Sequence, residues 1–191
     1  MLNKKFFTDL KKDYTFFNRN RREIIGWSSD ALHKSKIAIF TLHRGQVSEA
    51  AVILAGVEKT LASLEPVFKK SAGLRHEGSY RAALEEYVEA KMLYKIMAEK
   101  KISPIKEVKV DFDSYLGGLC DTTGELVRLA IKEATEGRVV EVEKIRDIIT
   151  DIMGELIEFN LTSYLRTKYD QAKTNLKKIE QIVYEIKLRK N

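Results

Sequence analysis

The sequence predicts an all-α protein: an antiparallel bundle of about six to seven helices, with residues 1–191 forming a single domain. Three observations predict it. Only two prolines, Pro66 and Pro104, and ten glycines interrupt 191 residues. Lys, Glu, Leu, Ala and Ile are abundant, which favours helix over sheet. Long segments are separated by short joins, the pattern of helices that turn back on their neighbours.

The first helix is expected from about Thr8 to Arg44 and the second from about Gln46 to Lys70, ending at Ser71-Ala72-Gly73. A third runs from about Ser79 to Lys101, nearly apolar all round: Tyr80, Ala83, Leu84, Tyr87, Val88, Met92, Leu93, Tyr94, Ile96 and Met97. A helix of that kind is mostly buried. Ser103 and Pro104 break the chain, and residues 102–111 connect, with VKVDF a brief strand that has no partner. The fourth helix runs from about Asp113 to Thr135, with Asp113 or Ser114 as N-cap and Gly137 as the closing glycine. The fifth spans about Val140 to Phe159 and the last about Thr162 to Arg189. In the last, Tyr169, Ala172, Leu176, Ile179, Val183 and Ile186 recur at three and four, the stripe of a core or a subunit interface.

Composition narrows the function. No stretch approaches the roughly 18 apolar residues of a membrane span, and the opening MLNKKFFTDLKKDY lacks the apolar run of a signal peptide. The single cysteine, Cys120, cannot staple the fold, so a reducing cytoplasm is expected, with Cys120 buried. Charge is uneven. Residues 1–44 hold ten Lys/Arg and four Asp/Glu, which accounts for the whole net charge of +6. Arg19, Arg21, Arg22, Lys34, Lys36 and Arg44 lie in this basic first helix (about 8–44), the electrostatic footprint of a polyanion partner or else a solvated lysine-rich face.

Two carboxylate pairs stand out: Glu86 and Glu89 on the helix 79–101, Asp121 and Glu125 on the helix 113–135. Residues three or four apart on a helix are neighbours, roughly 5–6 Å between Cβ atoms. Two such pairs on facing helices make a cage of hard oxygen donors of the kind Mg²⁺ prefers. Glu86 and Glu89 share the side continued by Leu93, Ile96 and Met97, so they lose water and need a cation: a salt bridge to Arg128 or Lys91, or a metal. On the fourth helix Phe112, Tyr115, Leu119, Leu126 and Ala130 form an apolar stripe. Ser114, Gly117, Gly118, Asp121, Glu125, Arg128 and Lys132 lie opposite, as an ordinary solvated face or as a site. The two glycines, each costing about 1 kcal/mol in a helix, make sense where another backbone or a ligand comes close.

Other chemistries fit less well. None of His33, His43 or His76 has the Glu three residues before it that di-iron bundles use. One cysteine and three scattered histidines do not make a zinc cluster, and no GxxxxGK[ST] loop is present. All-α nucleotide pyrophosphohydrolases place Glu-x-x-Glu on one helix and an acidic pair on the next. Here the second pair is Asp-x-x-x-Glu, and the basic first helix suits a longer polyanion.

Four blocks, in order, carry a resemblance: SKIAIFTLHR (35–44), LEEYVEA (84–90), DSYLGGLCDTTGELVR (113–128) and KYDQAKTNLKKIEQIVYEIKLR (168–189). From about residue 19 on, the chain resembles the translin superfamily, most closely its translin-associated factor X branch of archaeal or bacterial type. The resemblance implies an all-α subunit that assembles into an octameric shell around single-stranded RNA or DNA. In the catalytic branch the acidic residues of E-Y-[IV]-E and D-x-T-G-E form a Mg²⁺-dependent endoribonuclease site, and they match Glu86, Glu89, Asp121 and Glu125. The non-catalytic translin branch lacks the first pair. Translin's nucleic-acid-binding run of Arg and His is thinned here to Arg75, His76 and Arg81.

The resemblance leads to these expectations: one or two Mg²⁺ or Mn²⁺ ions held by the four carboxylates, Arg128 stabilising charge on the phosphorane or neutralising the cluster, and backbone contacts from Arg19, Arg21, Arg22, Lys36, Arg75, His76 and Arg81. Without long insertions, the chain is expected to be a self-sufficient homo-oligomer. Tyr80, Tyr87 and Trp27 are expected in the core rather than as base-stacking platforms. The competing reading is a shell that binds RNA or DNA without cutting it.

Overall fold

The computed structural model describes residues 2–190, and they form seven α-helices, two short 3₁₀ turns and no strand. Helix α1 (Lys4–His43) begins earlier than the sequence pattern suggests, because Asn3 caps it by accepting the Phe6 N–H at 3.1 Å. It ends at Gly45, whose φ of +80° turns the chain into α2 (Val47–Ser63). The expected second helix is two. Pro66 lacks an N–H and its ring crowds the preceding turn, so α2 stops at Ser63 and α3 (Glu65–Lys70) restarts. A 3₁₀ turn (Ala72–His76) leads into α4 (Gly78–Glu99), closed by Lys100 in the left-handed region.

The connector 102–111 forms no strand. Asp111, rather than Asp113 or Ser114, caps α5 (Phe112–Thr135), its carboxylate accepting both the N–H and the hydroxyl of Ser114 at 2.9 Å. Gly137, φ +74°, turns into α6 (Val139–Leu156), and after the 3₁₀ turn Ile157–Phe159 the chain enters α7 (Ser163–Lys190).

Helix α4 lies between α1 and α5, α2 backs α1 and α4, and α6 and α7 cover the far side of α5. The core runs through these contacts: Ile24, Leu42, Leu54, Leu84, Leu93, Leu126, Ile149 and Ile179 are all essentially inaccessible. Tyr80 and Tyr87 are buried as expected, but Trp27 is 48% exposed. The face of α5 carrying Ser114, Gly117 and Gly118 is not solvated, because these residues are buried. A Cβ on Gly118 would lie 2.5 Å from the Glu85 carbonyl oxygen, and one on Gly117 would collide with the Glu85 carboxylate. The close backbone read from the two glycines is α4. Phe112, assigned to the apolar stripe, is 74% exposed at the first position of α5.

Behind α4, on its side toward α2, Lys91 is buried and pairs with Glu58 at 2.6 Å and Glu107 at 2.9 Å; Tyr87 donates to the same Glu58 oxygen. Lys91 is thus committed to α2 and the 102–111 connector, not to Glu86 or Glu89.

Candidate metal centre between two helices

The glycine contact sets α4 and α5 close enough for both carboxylate pairs to face one space. Their mutual field shows in Glu89, whose carboxyl is pushed up to about 8, by burial first and then by Glu86, Asp121 and Glu125, with Lys168 opposing. No hydrogen bond or ion pair reaches Glu89 among the described residues. Burial also raises Glu86, against the pull of Lys36, whose Nζ stands 3.8 Å from Glu86 Oε2. Asp121 is raised by burial although Lys168 donates to its Oδ2 at 2.5 Å. Glu125 goes the other way: a hydrogen bond with His43 Nε2, helped by Arg128 at 3.4 Å, lowers it.

Three groups at this site had no place in the sequence reading. His43, buried in the last turn of α1, holds Glu125, and its backbone carbonyl accepts Lys132 Nζ at 2.7 Å. Lys168 of α7 bridges Asp121 and Glu85, the latter at 2.7 Å. Burial would lower the Lys168 ammonium, but its two carboxylate partners outweigh this and raise it. Glu85 also accepts the Tyr164 hydroxyl at 2.6 Å. A signal existed for one of them: His43 lies seven residues, two turns, after Lys36 and shares its face. Lys168 and Glu85 meet only because α4 and α7 both pack on α5. A cavity of ≈430 Å³ lined by Arg81, Glu85, Glu86, Asp121, Tyr164 and Lys168 opens beside the cluster.

The donor chemistry suits a hard divalent cation. Four carboxylates share one partly dehydrated space, and one of them has no partner of its own. As the side chains stand, no three His, Cys, Asp or Glu groups among the described residues converge as ligands. Asp121 is engaged with Lys168 and Glu125 with His43, so a cation here takes its ligands from these partners.

The basic residues divide into two groups. Lys36 and Arg128 flank the carboxylates. Arg21 pairs with Glu77 at 2.7 Å, Arg75 pairs with Glu65 and lies 4.7 Å above the Phe68 ring, and Arg81 pairs with Asp113 at 2.8 Å. His76 is exposed in the 3₁₀ turn, and Arg19 and Arg22 are exposed on α1 without an ion pair among the described residues. No helix among them is long and apolar enough to cross a membrane.

Residues 19–190 match the Translin family. The chain belongs to that family. Within it, translin of Gallus gallus is 33% identical over 81 residues, 42% of this chain and 35% of the relative. The translin-associated protein X homolog of Schizosaccharomyces pombe is 25% identical over 191 residues, covering 88% of this chain and 81% of its own. The chain thus spans about a third of the chicken translin and most of the yeast protein. Among solved structures, an AfC3PO–duplex RNA complex shares the fold with a TM-score of 0.86 at 21% identity, over 96% of this chain and 97% of that one. The all-α helical bundle is therefore the family fold, and the acidic site lies within the matched residues.

Proposed function

We propose that this Translin-family chain binds single-stranded RNA and single-stranded DNA and is a metal-dependent endoribonuclease that cuts single-stranded RNA, as a cytoplasmic homo-oligomer of octameric type. One observation carries the reading. Glu86, Glu89, Asp121 and Glu125 are held together by the glycine contact of α4 and α5, and Glu89 bears the cost without a protein partner. Such a cluster is expensive unless a cation joins it. The RNA in the AfC3PO complex agrees with a nucleic-acid ligand for the family.

In this reading Glu86, Glu89, Asp121 and Glu125 hold Mg²⁺ or Mn²⁺. The ion supplies Lewis-acid polarisation of a phosphoryl oxygen and lowers the pKa of a bound water. One of the four carboxylates takes the proton of the attacking water while the others hold the ion. Arg128, 53% exposed beside Glu125, extends toward solvent and meets charge developing on the phosphate. Lys36 and Arg81 border the site and steer the backbone toward it. Farther out, Arg19, Arg21, Arg22, Arg75 and His76 provide salt-sensitive backbone contacts.

A second reading has its own support. Lys168 and His43 already occupy Asp121 and Glu125, as in a shell that binds RNA without cutting it. Cleavage of labelled single-stranded RNA with Mg²⁺ or EDTA, by wild type, Asp121→Ala and the double variant Glu86→Gln/Glu89→Gln, decides between them. Metal-dependent internal cuts, lost in both variants while RNA binding survives, are expected. Cutting by the purified double variant refutes the site; binding without any cutting supports the shell.

A further inference from the structure

A second hollow adjoins the acidic centre, where the turn from α6 to α7 meets the start of α5. Its volume is ≈490 Å³, within the range of small-molecule sites. The buried Leu116 and Leu165 supply an apolar floor. Three rings wall it, and none belongs to the core: Phe112 is 74% exposed, Phe159 56% and Tyr164 53%. Phe112 opens α5, Phe159 ends the 3₁₀ turn after α6 and Tyr164 lies in the first turn of α7, so three separate elements bring their rings to one place. The backbone between the last two is unusual, with φ of +44° at Asn160 and +52° at Ser163. Asparagine tolerates the left-handed region, whereas serine enters it at a cost and stays only where its surroundings enforce it. Two residues join this hollow to the acidic centre, since Arg81 and Tyr164 line both cavities. The Tyr164 hydroxyl donates to Glu85, and Lys168 donates to both Glu85 and Asp121. Lys168 Nζ also stands 5.4 Å from the centroid of the Tyr164 ring. That ring is therefore anchored at its hydroxyl end while half its surface stays open.

We propose that this hollow is a nucleobase subsite: it takes the base of an unpaired nucleotide whose phosphate lies toward the acidic centre. The inference rests on the reading of that centre as a nucleic-acid site, and not on cleavage. Three observations choose the occupant. First, ring walls over an apolar floor suit a flat aromatic ligand, because aromatic faces stack on one another at an offset or edge to face. Second, the rim carries donors and acceptors together: the Asp113 carboxylate, the Asn160 amide and the hydroxyls of Thr162 and Ser163. Groups of both kinds meet the polar edge of an unpaired base. Third, Arg81 stands on the boundary of the two cavities, so a ligand that reaches from one to the other passes a guanidinium. That position suits a base joined to a phosphate, and it does not suit a purely apolar ligand. Every base has a π face, so the subsite selects unpaired nucleotides rather than a sequence. A base held in a duplex stack has both faces covered and cannot enter.

The test is binding without cutting, by fluorescence anisotropy in EDTA. A short labelled single-stranded RNA is compared with an abasic strand of the same length, which keeps every sugar and phosphate and lacks the bases. The variants are Phe112→Ala/Phe159→Ala, which removes two exposed rings outside the core, and Phe112→Tyr/Phe159→Tyr, which keeps them; circular dichroism confirms the helical fold of both. Wild type is expected to prefer the RNA. The alanine pair weakens RNA roughly tenfold or more, leaves the abasic strand unaffected and keeps the slope of log affinity against log salt, because no phosphate contact is lost. The tyrosine pair binds as wild type does. An alanine pair that binds RNA as tightly as wild type, or that loses both strands equally, overturns the proposal. So does an alanine pair of smaller mass by light scattering, which would make the hollow a contact between subunits. A wild type that binds the two strands alike overturns the subsite and leaves the nucleic-acid reading standing; one that binds neither strand overturns that reading and the subsite with it.

Discussion

Replacing Gly118 with alanine measures the contact on which the candidate site depends. The added Cβ would lie 2.5 Å from the Glu85 carbonyl oxygen and 2.7 Å from Val88 Cβ. Neither neighbour is the free end of a flexible side chain, so α4 and α5 have to move apart. Alanine gains about 1 kcal/mol of helix propensity over glycine, while overpacking a tight contact costs about 1–3 kcal/mol or more. The expected balance is a net loss of up to about 2 kcal/mol. Gly26, in α1 with nothing within 4 Å of its would-be Cβ, is the control; Gly26→Ala keeps the propensity gain and is expected to stabilise by up to about 1 kcal/mol. Urea unfolding at matched protein concentration reads both as midpoint shifts at unchanged slope. The separation of the helices also spreads the carboxylates, so Gly118→Ala should lose metal-dependent cleavage beyond its loss of stability. A Gly118→Ala protein as stable as Gly26→Ala would show that the two helices do not touch there, and the reasoning about the site would fail with it.

Further outcomes follow from the same geometry. Glu89 has a folded-state pKa of about 8, above its usual 4.5, so its share of stability is complete below about pH 4.5 and is lost as pH rises through 8. Glu89→Gln is therefore expected to be more stable than wild type at pH 9 and equal to it at pH 4 in EDTA; equal stability at both pH values would contradict the buried carboxyl. Lys91→Met leaves Glu58 and Glu107 without their shared cation; with Glu107 in contact with water, the expected cost is about 1–3 kcal/mol, measured by thermal unfolding. Arg19→Ala/Arg22→Ala should flatten the plot of log affinity for single-stranded RNA against log salt by about 1.4, since each lost phosphate contact on a single strand removes about 0.7. An unchanged slope would remove these two arginines from the RNA path.

Much of the fold was legible because its signals are local. Long helices, the glycine turn at Gly137 and the nearly all-apolar helix around Glu86 depend on residues near in sequence. What was not legible came from tertiary contact or from a weak local rule. Pro66 divides a helix whose apolar pattern runs on through it. Gly117 and Gly118 signal a close neighbour correctly, but the polar residues beside them leave that side of α5 open between a solvated face and a site; only the packing of α4 shows the glycines to be buried. Trp27 has the composition of a core residue and a position outside the core. At the site, the two acidic pairs were readable from helical spacing, whereas His43 and Lys168 reach them from helices 82 and 47 residues away. Pairings over such separations leave no periodic trace in one sequence.

Lys91 and the pair Glu86 and Glu89 occupy opposite sides of α4. A helix packed only by apolar side chains can roll about its axis at modest cost, since one greasy face substitutes for another. This one cannot: a roll of one residue would strip Lys91 from Glu58 and Glu107 and leave its buried ammonium unpaired. The rear ion cluster thus acts as a rotational key, while the glycine contact sets how near α4 lies to α5. Distance and angle are fixed by separate devices, so a sequence change on the hidden side of α4 can re-aim the acidic face without touching it.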